Sequence, residues 1–149
     1  MSYSKFAIMM MISFVVMYVV MFLKIDRLSH YHTSTTRIYM ALLMVAPMAV
    51  VMMLMMGKMY SNKNINRMII ISGIVVFIVT LIALRTQTPV GDVQYMKAMI
   101  PHHSSAILVS KEATIKDPEV RNLADQIIQS QEKEIAEMNA LIEKLNDSK

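Results

Sequence analysis

The sequence predicts an all-α protein: three transmembrane helices followed by a two-helix hairpin. Three observations carry that expectation. Apolar residues make up 55% of the 149 positions, and most of them precede Arg85. Three of the apolar runs contain no charge. After a short Pro/Gly-containing linker, the apolar positions of the remaining chain recur at helical spacing.

The uncharged runs are Phe6–Leu23, Ile38–Gly57 and Met68–Leu84. A spanning helix needs about 20 apolar residues, and each run meets that requirement, the third with least to spare. The first is read as a span rather than a cleavable signal: its apolar stretch exceeds the usual signal core, and no small-residue cleavage site follows. Tyr39 and Tyr60 bracket the second span where interfacial aromatics belong. An odd number of spans puts the termini on opposite sides. Charge gives no direction, because Lys5, Lys58, Lys63 and Arg67 balance Lys24, Arg27, Arg37 and Arg85.

Methionine is abundant, with 18 residues, and cysteine is absent. Disulfides, thiolate ligands and cysteine nucleophiles are thereby excluded. Any soft metal site must come from thioethers and imidazoles. In the second span Met48, Met52, Met55 and Met59 form a stripe at helical spacing, and Pro47 interrupts the helix. The stripe reads as adaptable packing before it reads as a conduit for metal. The loop Lys24–Arg37 carries His30 and His32 on the same side as the tail. They are solvated surface residues by default and an accessory ligand pair if they face a site. The net charge of +4 is scattered at segment ends, so nucleic-acid binding finds no support.

Residues 1–85 are thus a membrane region and 86–149 a separate tail. Pro89 and Gly91 stop the third span. Asp92 is expected to cap a helix running to about Lys116, and Asp117-Pro118-Glu119 to start another ending near Leu145. In the first of these helices Met96, Ile100, His103 and Ile107 share a face. Met99 and His102 lie to its sides, and Pro101 falls just before the histidines. In the second, Val120, Leu123, Ala124, Ile127, Ile128, Ile135, Met138, Ile142 and Leu145 form an apolar stripe interrupted by Gln131. A buried amide needs a hydrogen-bond partner, so Gln131 is a candidate brace for a histidine ring, with Glu134 a second. Two thioethers and two imidazoles within Met96–His103 suit Cu(I) better than Mg²⁺, Ca²⁺ or Mn²⁺. Such a site needs neutral imidazole, so its affinity should fall as pH drops through about 6.5.

The pattern Asp92-x-x-Tyr95-Met96-x-x-Met99-Ile100-Pro101-His102-His103-x-x-Ala106-Ile107 resembles the signature of a domain-of-unknown-function family, number 305. So does Pro118-Glu119-Val120-Arg121-x-Leu123-Ala124, continued to Met138. The resemblance covers about residues 91–145. It implies a ferritin-like helical fold outside the cytoplasmic membrane, with copper binding and copper tolerance as the family's theme. Carried over by position, the metal ligands are Met96, Met99, His102, His103 and Met138. This chain departs from the family pattern at Ser104-Ser105, where Gln-Gly is frequent, and at Val109-Ser110, where Met-Ala is common. An extracytoplasmic tail implies a cytoplasmic N-terminus, in a bacterial cytoplasmic (inner) membrane. No Glu-x-x-His motif occurs, so di-iron chemistry is not expected.

The expectation is a multi-pass membrane copper-binding protein, not an enzyme, whose hairpin pairs with a second copy to complete a four-helix bundle. Two rivals stand beside it. One is a copper transporter lined by the methionines of the second span, although the third span has only Gly73 and no G-x-x-x-G motif. The other is a structural or assembly module in which the Met/His cluster merely packs.

Overall fold

The computed structural model describes residues 2–147. The order is α1 (Tyr3–Val20), α2 (Thr35–Met56), α3 (Lys63–Thr86), α4 (Asp92–Glu112) and α5 (Pro118–Asp147), with single 3₁₀ turns at Leu28–His30 and Gly57–Met59. No strand occurs among the described residues.

Local chemistry sets the ends of these helices. Ser2 caps α1 by accepting the Ser4 N–H. Asn62 caps α3 by accepting from Asn64 and Ile65. Asp117 caps α5 by accepting from Glu119 and Val120, with Pro118 opening the first turn. The spans therefore begin a few residues before their apolar runs, inside polar caps. Asp92 does not act as the cap of α4. It occupies the first turn, and Gly91 precedes it with no side-chain bond. The same helix ends at Glu112 rather than Lys116, because Ala113 is already extended and the chain must reverse before Asp117.

Three helices are long and apolar enough to cross a membrane: Tyr3–Val20, the segment Thr35–Met59, and Lys63–Thr86. The described residues form two compact units. One holds the chain up to Met21 together with Thr36–Pro89, and the other holds Phe22–Thr35 together with everything described from Val90 onward.

In the first unit α2 and α3 approach closely at Gly73. A Cβ there would lie 2.7 Å from Val50 Cγ2 and 3.4 Å from the Ala46 carbonyl. One small residue on each helix does the work of a longer motif. Phe6, Met53 and Tyr60 form a core at one end, packed by Met9, Met10, Met52 and Met56. On α2 the buried thioether is Met53, at 1% exposure, whereas Met55 and Met59 of the expected stripe lie on the outer surface. Arg37 is buried and donates to the Met21 carbonyl, covering the end of α1.

In the second unit α4 and α5 run antiparallel. Their seam is Met96, Ile100 and Ile107 against Ile135 and Ile142, flanked by Val93, Ile128, Met138 and Leu145. Arg121 donates to the Ser110 carbonyl near the connection and pairs with Asp125, closing that end. Replacing Ile135 by Ala should destabilise this unit by about 2–5 kcal/mol. Val109→Ala, at an exposed site, should change it by less than about 0.5 kcal/mol. Denaturant unfolding of the detergent-solubilised chain, followed by circular dichroism, checks both. Equal effects of the two substitutions would contradict the assigned seam.

Candidate metal centre on the hairpin

The seam fixes which sequence-predicted donors meet. Met96 is buried in it and Met138 packs against the same cluster. Both line a cleft of about 420 Å³ with Asp92, Tyr95, Leu141, Lys144 and Leu145. Two thioethers contributed by two helices thus converge at the open end of the hairpin. Met99 is partly buried, and its side chain is not among the residues lining that cleft.

His103 sits further along α4 and is buried. Its Nδ1 lies 3.0 Å from the Met99 carbonyl, and its Nε2 lies 2.6 Å from Glu134 Oε2. A carbonyl can only accept, so Nδ1 carries a proton. A hydrogen bond at Nε2 therefore needs one further proton, shared between the ring and the Glu134 carboxyl. Hydrogen bonds from Ser130 and from His103 hold the Glu134 carboxyl below its ordinary range. Glu134 is therefore the residue that braces His103. Gln131 is not: it is partly buried and has no side-chain hydrogen bond among the described residues. Glu134 lies three positions further along α5, on the flank that meets His103.

His102 is exposed, and its ring stands 6.1 Å from that of His103 at a steep angle. The two imidazoles diverge, as adjacent residues on a helix must. Among the described residues no three His, Cys, Asp or Glu side chains converge as a metal site. The donors fall instead into a thioether pair, Met96 with Met138, and a histidine already engaged by a carboxylate.

Sequence reasoning left open what the loop between α1 and α2 does, and the structure docks it on α4. Ser104 is fully buried. Its hydroxyl accepts the Asp26 N–H at 2.7 Å and lies 2.9 Å from His30 Nδ1. Ser105 donates to the Lys24 carbonyl, and Gln94 accepts from the N–H and hydroxyl of Thr35. Lys111 pairs with Asp26 and Glu132, and Arg27 reaches the same two carboxylates. His32 hydrogen-bonds Asn139 of α5 and lies near Lys97. Both accessory histidines thus belong to the hairpin unit. The signal for this was the departure Ser104-Ser105, two small hydroxyl residues where a loop can lie close.

A family model described as "Domain of unknown function (DUF305)" matches residues 44–142. That range takes in α3, α4, most of α5 and part of α2. A curated protein from Acanthamoeba polyphaga mimivirus, "Uncharacterized protein L153", is 42% identical over 107 residues, covering 70% of this chain and 68% of its own. No solved structure matches.

Loss of water on docking is the main force that lowers the pKa of His30, with Arg27 next and Lys111 adding to it against Asp26 and Glu132. Desolvation likewise lowers His32, followed by Lys97, against its bond to Asn139. Rings with depressed folded values bind protons more readily once the loop is free. Docking is therefore at full strength above the ordinary histidine value of about 6.5, and weakens as pH falls below it. Amide-exchange protection of residues 26–32, corrected for intrinsic rate, should drop between pH 7.5 and pH 5. Protection that stays constant across that range would contradict the desolvated placement of these rings.

Proposed function

The chain belongs to the DUF305 family, and from that premise we propose that it is an integral membrane copper-binding protein with no catalytic turnover. Three helices anchor the hairpin, which binds Cu(I) for copper handling or tolerance. The observation that carries this reading is the orientation of His103. Its Nδ1–H is tied to the Met99 carbonyl, which in the neutral ring leaves the lone pair on Nε2, the arrangement in which imidazole ligates metal. Met96 and Met138 supply soft donors from two helices, and Met99 and His102 complete or alternate the set. The thioether pair fits a soft ion as it stands. The imidazole fits only after Nε2 leaves Glu134, so ion and proton compete for the same ring atom.

The proposal also places the tail outside a bacterial cytoplasmic membrane, with the N-terminus inside. It pairs two hairpins into a ferritin-like four-helix arrangement. Val109, Val120 and Leu123 are at least half exposed on this unit, and a second copy gives that apolar surface something to cover.

One observation favours a plain packing role instead: both nitrogens of His103 are already satisfied within the protein. Competition between the full chain in detergent and a chromogenic Cu(I) chelator separates the two readings. Copper binding predicts that replacing Met96, Met99 and Met138 by Leu, together with His102 and His103 by Ala, weakens Cu(I) affinity at least about a hundredfold. It also predicts that Glu134→Gln, which removes the competing carboxylate, preserves or tightens binding. An unchanged affinity in the five-residue variant would sink the proposal and leave packing.

A further inference from the structure

The turn between α2 and α3 belongs to the first unit, whereas the histidines all belong to the second. Here the chain forms a cleft of about 650 Å³ lined by Leu54, Gly57, Lys58, Tyr60, Ser61, Lys63, Asn66, Arg67 and Ile70. Three of these residues are cations, and the chain contains no Asp or Glu between Arg27 and Gly91. Lys58, Lys63 and Arg67 make no ion pair or side-chain hydrogen bond among the described residues, whereas Arg27, Lys111, Arg121 and Lys133 in the other unit are all paired. The floor is built rather than loose. Asn66 donates to the Gly57 carbonyl at 3.0 Å, and the single Tyr3 hydroxyl proton lies within reach of both Asn66 Oδ1, at 2.8 Å, and the Asn62 carbonyl, at 2.9 Å. Tyr60 is 4% exposed, and its hydroxyl is buried with no partner among the described residues.

Three unpaired cations converging on one cleft call for an anion with several acceptor oxygens. A phosphate group meets that description. The remaining walls say which phosphate. Leu54 is 65% exposed, and the neighbouring Met55 and Ile71 are exposed as well. A soluble phosphate has no use for such a surface, whereas a phospholipid lays its acyl chains there. We propose that the α2–α3 turn is a headgroup site for an anionic phospholipid, its phosphate held by Lys58, Lys63 and Arg67 and its chains against Leu54 and Ile70. This rests on the reading of α1–α3 as inserted helices and is independent of copper. The cations hold the lipid by charge where the headgroup region raises their effect above that in open water.

The test uses the full chain reconstituted in mixed phosphatidylglycerol and phosphatidylcholine, extracted in mild detergent and weighed by native mass spectrometry. Wild type should retain phosphatidylglycerol over phosphatidylcholine by roughly tenfold to a hundredfold. K58Q/K63Q/R67Q should lose that preference. R85Q/K116Q/K133Q, with the same change in net charge elsewhere, should keep it. Equal retention in wild type and K58Q/K63Q/R67Q overturns the site. Loss of retained lipid on adding glycerol phosphate, with K58Q/K63Q/R67Q no longer binding glycerol phosphate, overturns the lipid assignment in favour of a soluble ligand. Alkaline extraction of each variant from membranes is scored in parallel, and release of wild type there overturns membrane insertion itself, and the site with it.

Discussion

The seam of Ile100 and Ile107 against Ile135 and Ile142 is the contact on which the tail's chemistry depends. These side chains carry no polar group. Their burial is driven by removal of apolar surface from water and has no direction of its own. Direction comes from register. Once the isoleucines interlock, Met138 must lie beside Met96, and Glu134 must lie beside His103. Loss of that register by one turn would put His103 opposite a different flank of α5 and separate the thioethers. The donors therefore have no fixed geometry apart from the seam.

His103 shows what the seam makes possible. On its own helix the ring reaches back to the Met99 carbonyl, a contact that depends only on helical geometry. The second contact, to Glu134, depends on α5 and so on the packed pair. The ring is thus held at one nitrogen by local structure and at the other by tertiary structure. The local bond is the harder to lose. An ion that displaces Glu134 leaves the ring aimed as before, and a ring without Glu134 keeps the tautomer a metal requires.

The helices and the start of α5 were legible in the sequence because they rest on short-range chemistry, whereas Asp92 was expected as a cap and is not one. The pairing of Asp117 with Pro118 marked a start that the structure reproduces with two hydrogen bonds. The apolar stripe of α5 was legible too, although Val120 and Leu123 proved exposed. Periodicity identifies a face but not which part of it is covered. Gln131 was singled out because it interrupts that face, yet the ring turned to Glu134. A carboxylate is a stronger partner for a ring N–H than an amide, and spacing alone cannot weigh the two. The methionine stripe of α2 does not mark one buried face, for a related reason: Met55 and Met59 are exposed. A thioether packs as readily against lipid as against protein, so its spacing carries no information about which way it faces.

The loop Phe22–Thr35 could not have been placed by periodicity, because it has none. Its position follows from hydroxyl groups on α4. Ser104 has a side chain short enough to let the loop backbone approach, and its oxygen answers both the Asp26 amide and the His30 ring. A larger residue at this position fills the space the backbone occupies, and an apolar one leaves a buried N–H without a partner at about 1–3 kcal/mol. Ser104 and Ser105 each bond the loop. The chain's own loop thereby closes one side of the hairpin, bonded to α4 through the two serines and to α5 through His32 and Arg27. On the proposed pairing, a second hairpin would approach from the side where Val109, Val120 and Leu123 remain uncovered. Loop and second copy would then use different surfaces of the same hairpin.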